Sequence, residues 1–393
     1  MCKYLISAFI LCCFFNTNAP KIDTNKVVLV DVGDVWNLIK DKKYKIDTSK
    51  AEVGVPLFTV LPGFGYSQLT GFTVLVDGNI SFYTYPKTNI SVIKITPEYT
   101  QKRQFTPILT TSIWSKNNRY NFVSDWRYYK YHVKDFGLGG FTQEDVFNQF
   151  SYRFLRFHQV ISRAITPDLL IGVGYNFDKH YHVKSLDKLL VTNAENYGVS
   201  RSAISSGIVL NALFDTRRNE NSPVAGGWYG NISFTHNMTA LRSSTNYNSI
   251  YADFRHCVSF PKNSKSILAF WNINWLTFGG KAPYFDLPST LWDTYDNAGR
   301  TFIQGRFRGK NMLYYETEYR FNIIKNELLG GAIFVNSQTF AEPSSNQFSK
   351  FLYGYGGSLR TKVNKKSNVY FILSYGAGSG GAKGFFFNLG EVF

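Results

Sequence analysis

Long apolar runs are missing from this sequence. Beyond the N-terminus no stretch approaches the roughly 20 residues that a spanning helix needs, which excludes a helical membrane protein. Cysteine is scarce: there are 4, and Cys2, Cys12 and Cys13 lie in an N-terminal stretch expected to be removed. Cys257 alone supports neither a disulfide framework nor a Cys-based metal site. Catalytic spacings are missing too. No Ser sits in a G-x-S-x-G elbow and no paired carboxylates stand beside a nucleophile, so neither an enzyme nor a cofactor is expected. His180 and His182 are two apart, spaced for one face of a strand; a metal pair is the lesser reading there, and no metal is expected.

Acidic residues are the minority, 27 against 43 Lys and Arg, for a net charge of +16. In a soluble protein that balance suggests nucleic acid. The cations here are scattered through strands and turns with no basic helix, so nucleic acid is not the expected partner. A positive lumen or contact with anionic lipid headgroups fits better.

Aromatics are abundant: 35 Phe, 26 Tyr and 7 Trp. Yet mean hydropathy is only −0.18. A transmembrane β-barrel reconciles the two, because lipid-facing and lumen-facing residues alternate while rings girdle both interfaces. Lys3, the apolar stretch Tyr4–Phe15 and Thr17-Asn18-Ala19 read as a secretory signal over residues 1–19. Phe9-Ile10-Leu11 lack the small residues of a lipoprotein signal before Cys12 and Cys13. Residues 20–55 form a short periplasmic segment, with an amphipathic helix at Asp31–Lys40, and residues 56–393 form the barrel.

The expected fold is all-β, an antiparallel transmembrane barrel of about 16 strands. The strands fall at Leu57–Tyr66, Gly71–Tyr83, Ile90–Thr100, Phe105–Ser115, Tyr120–Tyr131, Phe147–Ala164, Asp168–Asp178 and Arg201–Asp215. They continue at Gly226–Asn237, Tyr247–Phe260, Ser266–Gly279, Asn311–Ile323, Leu328–Gln338, Lys350–Val363, Asn368–Ala377 and Gly384–Phe393. Brief polar turns such as Lys116–Arg119 and Asn364–Ser367 alternate with a set that includes the longest links, His132–Val146, His180–Ser200 and Gly280–Lys310. Short periplasmic turns and long external loops have that parity. The polar link Thr216–Ala225 is the exception.

The stretch Gly384–Phe393 carries apolar residues at alternate positions, with Phe385, Phe387, Leu389 and Phe393 as a lipid-facing stripe that Glu391 interrupts near the interface. It resembles the closing strand of the BamA/TamA superfamily of outer-membrane assembly proteins, the bacterial surface antigen family. Phe214-Asp215-Thr216-Arg217-Arg218, with Pro223 and Gly226-Gly227-Trp228, resembles that family's mid-barrel signature, carried by Asp215, Arg217, Pro223 and Gly227. Arg300-Thr301-Phe302 with Gly305–Asn311, Glu318–Phe321 and Gly331–Asn336 resemble its sixth extracellular loop and the two strands that follow. Pro62–Tyr66 is similar to the first strand of members that are little but barrel. The ordered set spans roughly residues 56 to 393, and it points to the branch without periplasmic POTRA domains.

The resemblance implies that extracellular loop six folds into the lumen and that its arginine pairs with an acid on the wall. Arg300 matches that arginine, Thr301 stands for the glycine, and Asn336 stands where the aspartate is expected. Glu318, or Glu316 on the same strand face, is left to supply the charge; the alternative is an Arg300 solvated in an open loop. Pro62 and Gly63 in the first strand, with Gly384 and Gly390 in the last, either weaken a seam between them or only accommodate curvature.

The function expected from this is assistance to the insertion or translocation of outer-membrane proteins or lipids through that seam. The expected partners are outer-membrane lipids, other outer-membrane proteins or a periplasmic partner. A passive, anion-favouring pore and a structural subunit of an outer-membrane complex are the rival readings.

Overall fold

The computed structural model describes residues 28–41, 43–67, 71–186, 196–217, 219, 221, 223 and 225–393. The signal expected at residues 1–19 lies outside them. Among the described residues the helix α1 (Val32–Lys40) precedes the strands β1 (Leu57–Ser67), β2 (Gly71–Phe82), β3 (Ser91–Thr96), β4 (Glu98–Thr100), β5 (Ile108–Trp114) and β6 (Tyr120–Asp135). Next come β7 (Asn148–Ala164), β8 (Leu169–Ser185), β9 (Ala203–Asp215), β10 (Trp228–Asn237), β11 (Tyr247–Ser259) and β12 (Ile267–Phe278). The chain finishes with β13 (Asn311–Asn322), β14 (Leu329–Phe340), β15 (Phe351–Asn364), β16 (Val369–Gly378) and β17 (Lys383–Leu389).

Every ladder is antiparallel. β3 and β4 are two halves of one stave: both pair with β2, and only Pro97 separates them. Proline offers no ladder donor, but its carbonyl still accepts from Val76 N at 3.1 Å. Among the described residues the 17 strands therefore make sixteen staves in a single meander. β1 pairs with β2, and β17 pairs with β16 from Ala377↔Lys383 to Phe371↔Leu389. Among the described residues no ladder joins β1 to β17.

Alternation gives the sheet its two faces, and they are inverted relative to a soluble protein. On β13 the side chains of Tyr314, Glu316, Glu318 and Arg320 are buried while Tyr315 between them is exposed. On β1, Phe58, Val60 and Phe64 are exposed and Thr59 is buried. Asp125, Arg127, Arg156 and Asp178 are likewise inside, whereas Leu155, Phe157, Ile171, Val173, Ile333 and Val335 face out. Charges inside and an exposed apolar belt outside suit a surround that is itself apolar, and rings such as Tyr129, Phe154 and Trp292 pack among the charges in the interior.

Three departures from the sequence expectation matter. β6 and β8 run on to Asp135 and Ser185, so the barrel is taller on that side than the apolar segments alone suggest. The last strand stops at Leu389 and does not reach Phe393. Gly390, at φ +92°, bends the chain, its N–H donates to Tyr370 O at 2.8 Å, and residues 391–393 turn into the barrel. Glu391 is therefore buried inside, not interfacial, and Phe393 belongs to an interior cluster with Trp271 and Tyr314, not to the lipid-facing stripe. The reason is charge: a carboxylate is costly against lipid, and two arginines await it inside. α1 has the expected position and is closed at its start by a reciprocal cap, Asp34 N to Asp31 Oδ1 at 3.0 Å and Asp31 N to Asp34 Oδ2 at 3.1 Å.

Candidate functional site

Residues 279–310, the link from β12 to β13, cross the interior. On one side Arg127 of β6 donates to Asp293 O at 3.0 Å, to Thr294 O at 2.6 Å and to Asp296 Oδ1 at 3.0 Å. On the other, the same link reaches β13 and β14. Seven ladders separate β6 from β13 around the wall, so a loop that touches both lies within the ring.

Arg300 is the loop's deepest cation. Its Nη2 donates to Glu316 Oε1 at 2.5 Å and also to Glu318 Oε2, both on β13. Its guanidinium lies 3.7 Å from the centre of the Phe334 ring. The two carboxylates offset the cost of burying its charge. Asn336 completes the seat by donating to Arg300 O at 3.0 Å. An amide therefore binds the arginine's backbone where the resemblance expected a carboxylate for its side chain, and the charge comes from Glu316 and Glu318.

Thr301 occupies φ +130°, a region that glycine adopts freely and β-branched residues rarely do. Its side chain lies against Gly354 of β15 and Gly376 of β16, where a Cβ would come within 2.4 Å of Thr301 Oγ1 and Cγ2 respectively. Two wall glycines thus make the space that one loop threonine fills. Phe302 next to it is buried and stands edge-on to Phe307 at 5.5 Å.

From Arg300 a chain of alternating charge runs along the wall. Glu318 Oε1 accepts from Arg320 Nε at 2.6 Å, Arg320 Nε lies 3.7 Å from Glu391 Oε2, and Glu391 Oε1 accepts from Arg360 of β15. Arg320 Nη2 also donates to Phe393 O at 2.9 Å, while the Phe393 ring stacks on Trp271 of β12 at 5.1 Å. Asn297 of the loop donates to Val392 O at 2.9 Å. Loop, wall and inward-turned tail form one unit. Breaking a buried pair by deleting one partner costs about 3–5 kcal/mol, so each member depends on the others. Sequence reasoning found Arg300, Glu316 and Glu318 but missed Arg320, Arg360, Trp271 and Asn297; the signal was present only for Arg320, which shares a strand face with both glutamates.

The seam residues lie where the two unpaired edges run. Pro62 is exposed on β1 opposite Val76, and Gly63 leaves room for Leu75. Gly384 stands opposite Gly376. Phe385 and Phe387 point outward and Leu389 is buried. Contacts other than a ladder span this gap. Asn221, in the link between β9 and β10, accepts from Asn79 Nδ2 at 3.0 Å and donates to Ser81 Oγ at 3.0 Å, both on β2. The same residue donates to Ser367 O at 3.3 Å and its carbonyl accepts from Glu391 N at 2.9 Å. Asn364 of β15 donates to Thr59 Oγ1 of β1 at 3.3 Å.

The mid-barrel residues explain how that link is aimed. Asp215 holds Arg217 with two side-chain bonds of 3.0 Å and one from Arg217 N of 2.9 Å, and the guanidinium lies 4.0 Å over Tyr229. Gly227 O accepts from Cys257 N at 3.2 Å, and Pro223 is buried between these points. His180 and His182 do not converge. A bulge shifts the β7–β8 register between Ser151 and Arg153, leaving His180 buried against Phe154 and paired with Asp286 at 3.0 Å, and His182 exposed at φ +53°. A further interior cavity of about 210 Å³ is lined by Asp125, Arg156, His158, Asp178 and Asp286 among others.

The outward apolar belt, the charged interior and the sixteen-stave meander define a transmembrane β-barrel of the outer-membrane type. Within that class the chain has the barrel fold of BamA and CdiB. It is similar to BamA from Haemophilus ducreyi lacking POTRA domains 1–3, at TM-score 0.52 and 13% identity over 84% of this chain and 69% of that one. It is also similar to CdiB from Escherichia coli, at TM-score 0.53 and 12% identity over 87% of this chain and 63% of that one. The chain thus spans less than two thirds of the CdiB chain. No protein-family model and no curated protein sequence matches it.

Proposed function

We propose that this barrel assists the insertion or translocation of other outer-membrane chains, or of lipids, at the edges of β1 and β17. The observation that carries the reading is the lack of a β1–β17 ladder among the described residues, where every other pair of sequential staves is zipped. An edge in a membrane has backbone donors and acceptors that water cannot satisfy. A strand adding to that edge satisfies them and is held by main-chain bonds in any sequence. The filled interior supports an edge mechanism over a central pore, since the 279–310 link and residues 391–393 occupy the lumen. No cofactor enters this reading, and the protein acts as a non-enzymatic platform.

The test has two arms. Depletion followed by quantitative proteomics of outer membranes is expected to lower other barrels while their transcripts persist. A photo-crosslinking residue at Phe58 or Phe387 is expected to capture barrel substrates, and one at Ile171, on the far wall, to capture none. Unchanged outer-membrane proteins together with equal crosslinking at both walls would sink the proposal. Steady conductance in planar bilayers would then move a pore to the front.

A further inference from the structure

α1 is docked the wrong way round for a helix packing on protein. An amphipathic helix ordinarily buries its apolar stripe and leaves its charges in water. Here the one buried residue of the helix is a charge, Asp34, with Val35 and Leu38 only half-buried beside it. Asp34 accepts from Lys365 Nζ at 2.6 Å and from Tyr44 OH at 3.2 Å, and Asp31 Oδ2 accepts from Lys365 N at 3.0 Å. Just before the helix, Val30 N donates to Asn326 O at 3.3 Å. These contacts fix α1 across the β13–β14 and β15–β16 turns.

The stripe left outside is apolar. Val32, Trp36 and Ile39, spaced i, i+4 and i+7, are 43%, 58% and 70% exposed, and Val28 and Leu29 extend it. It is continuous with the wall's own belt, because Ile323 and Ile324 are exposed on the turn that holds Val30. Lysines flank it: Lys40, Lys43 and Lys45 are exposed, and Lys40 Nζ lies 4.9 Å from the Trp36 ring.

We infer that α1 is an interfacial helix that lies on the phospholipid leaflet at the turn-bearing end of the barrel, with Val32, Trp36 and Ile39 among the acyl chains and its lysines at anionic headgroups. Each feature matches that surface. Tryptophan is favoured at membrane interfaces, an apolar helix face sinks about 5–10 Å below the headgroups, and lysine clusters are drawn to anionic lipid. The placement of α1 repeats that of the strands: both turn charge toward the barrel and exposed apolar side chains toward lipid. The inference needs the barrel to span a membrane but not the edge mechanism proposed above.

The experiment uses the full chain with its other cysteines replaced by alanine and an NBD label on Trp36→Cys, Ile39→Cys or Asn37→Cys. Each variant is folded into vesicles of phosphatidylcholine and phosphatidylglycerol, and barrel formation is scored by heat-modifiable gel mobility. Val32→Cys replaces any stripe variant that does not fold. Labels at 36 and 39 are expected to emit to the blue and to be quenched by brominated acyl chains, with the label at 37 quenched far less. Omitting phosphatidylglycerol is expected to weaken the quenching. Water-like emission at 36 and 39 in folded barrels overturns the inference. So does blue emission without bromolipid quenching, which would mean that a second copy or another part of the protein covers the stripe.

Discussion

Arg320 donates to the carbonyl oxygen of Phe393 at 2.9 Å, and the same guanidinium faces Glu318 and Glu391. One strand residue thereby ties the inward-turned tail to the carboxylates that hold Arg300. Arg320→Ala is expected to lower stability by about 3–5 kcal/mol, because it leaves two buried carboxylates short of a partner. Heat-modifiable gel mobility against temperature reads the loss. The double variant with Glu391→Gln should lose less than the sum of the singles; strict additivity would show that the two do not act together.

The seat of Arg300 gives a second prediction. Arg300→Ala strands Glu316 and Glu318 with no loop cation and is expected to cost about 3–5 kcal/mol. Adding Glu316→Gln should restore part of that loss, since a neutral amide is easier to bury than an unpaired carboxylate. If Arg300→Ala melts with the parent, the loop is held by other contacts and the latch has no energetic weight.

Thr301 and Gly376 test packing in place of charge. Gly376→Ala puts a Cβ at 2.4 Å from Thr301 Cγ2 and should cost about 1–3 kcal/mol through overpacking. Thr301→Gly removes that methyl and also suits φ +130°, so the pair of substitutions should recover most of the stability. Equal melting of Gly376→Ala alone and with Thr301→Gly would show that the threonine does not fill this space.

Asn221 is expected to be worth more than a surface amide. Asn221→Ala removes the acceptor of Asn79 Nδ2 and one of the two partners of Ser81 Oγ on β2, at about 1–3 kcal/mol for a buried polar group left unpaired. The loss should be local to the unpaired edges, so hydrogen exchange would quicken in β1, β2 and β17 before β6 to β8. Uniform quickening across the barrel would place Asn221 in general stability and remove it from the edge.

The strands were legible because alternation over β5 to β16 is regular and the turns between them carry their own polar signals. Arg300, Glu316 and Glu318 were legible too, since residues two apart share a strand face. The path of residues 390–393 was not. Read along the chain, Phe385, Phe387, Leu389 and Phe393 continue one stripe; what breaks it is the offer of Arg320, Arg360 and Trp271 from strands far away in sequence. The bulge that parts His180 from His182 was hidden for the same reason, because two-residue spacing assumes an uninterrupted register. Asn221 stands in a link that local pattern marks only as polar.

The meander has a consequence for how the molecule is made. Each ladder joins a strand to the one before it, so the wall can be laid down hairpin by hairpin, with only short loops to close at each addition. What brings the two ends together is the docking of Asn221, of Asn364 on Thr59 and of α1 on Lys365, all side-chain contacts between segments far apart in the sequence. Contacts of such long range form late. The circumference is therefore settled by a few polar groups after the sheet exists, and those groups, unlike a ladder, release one at a time.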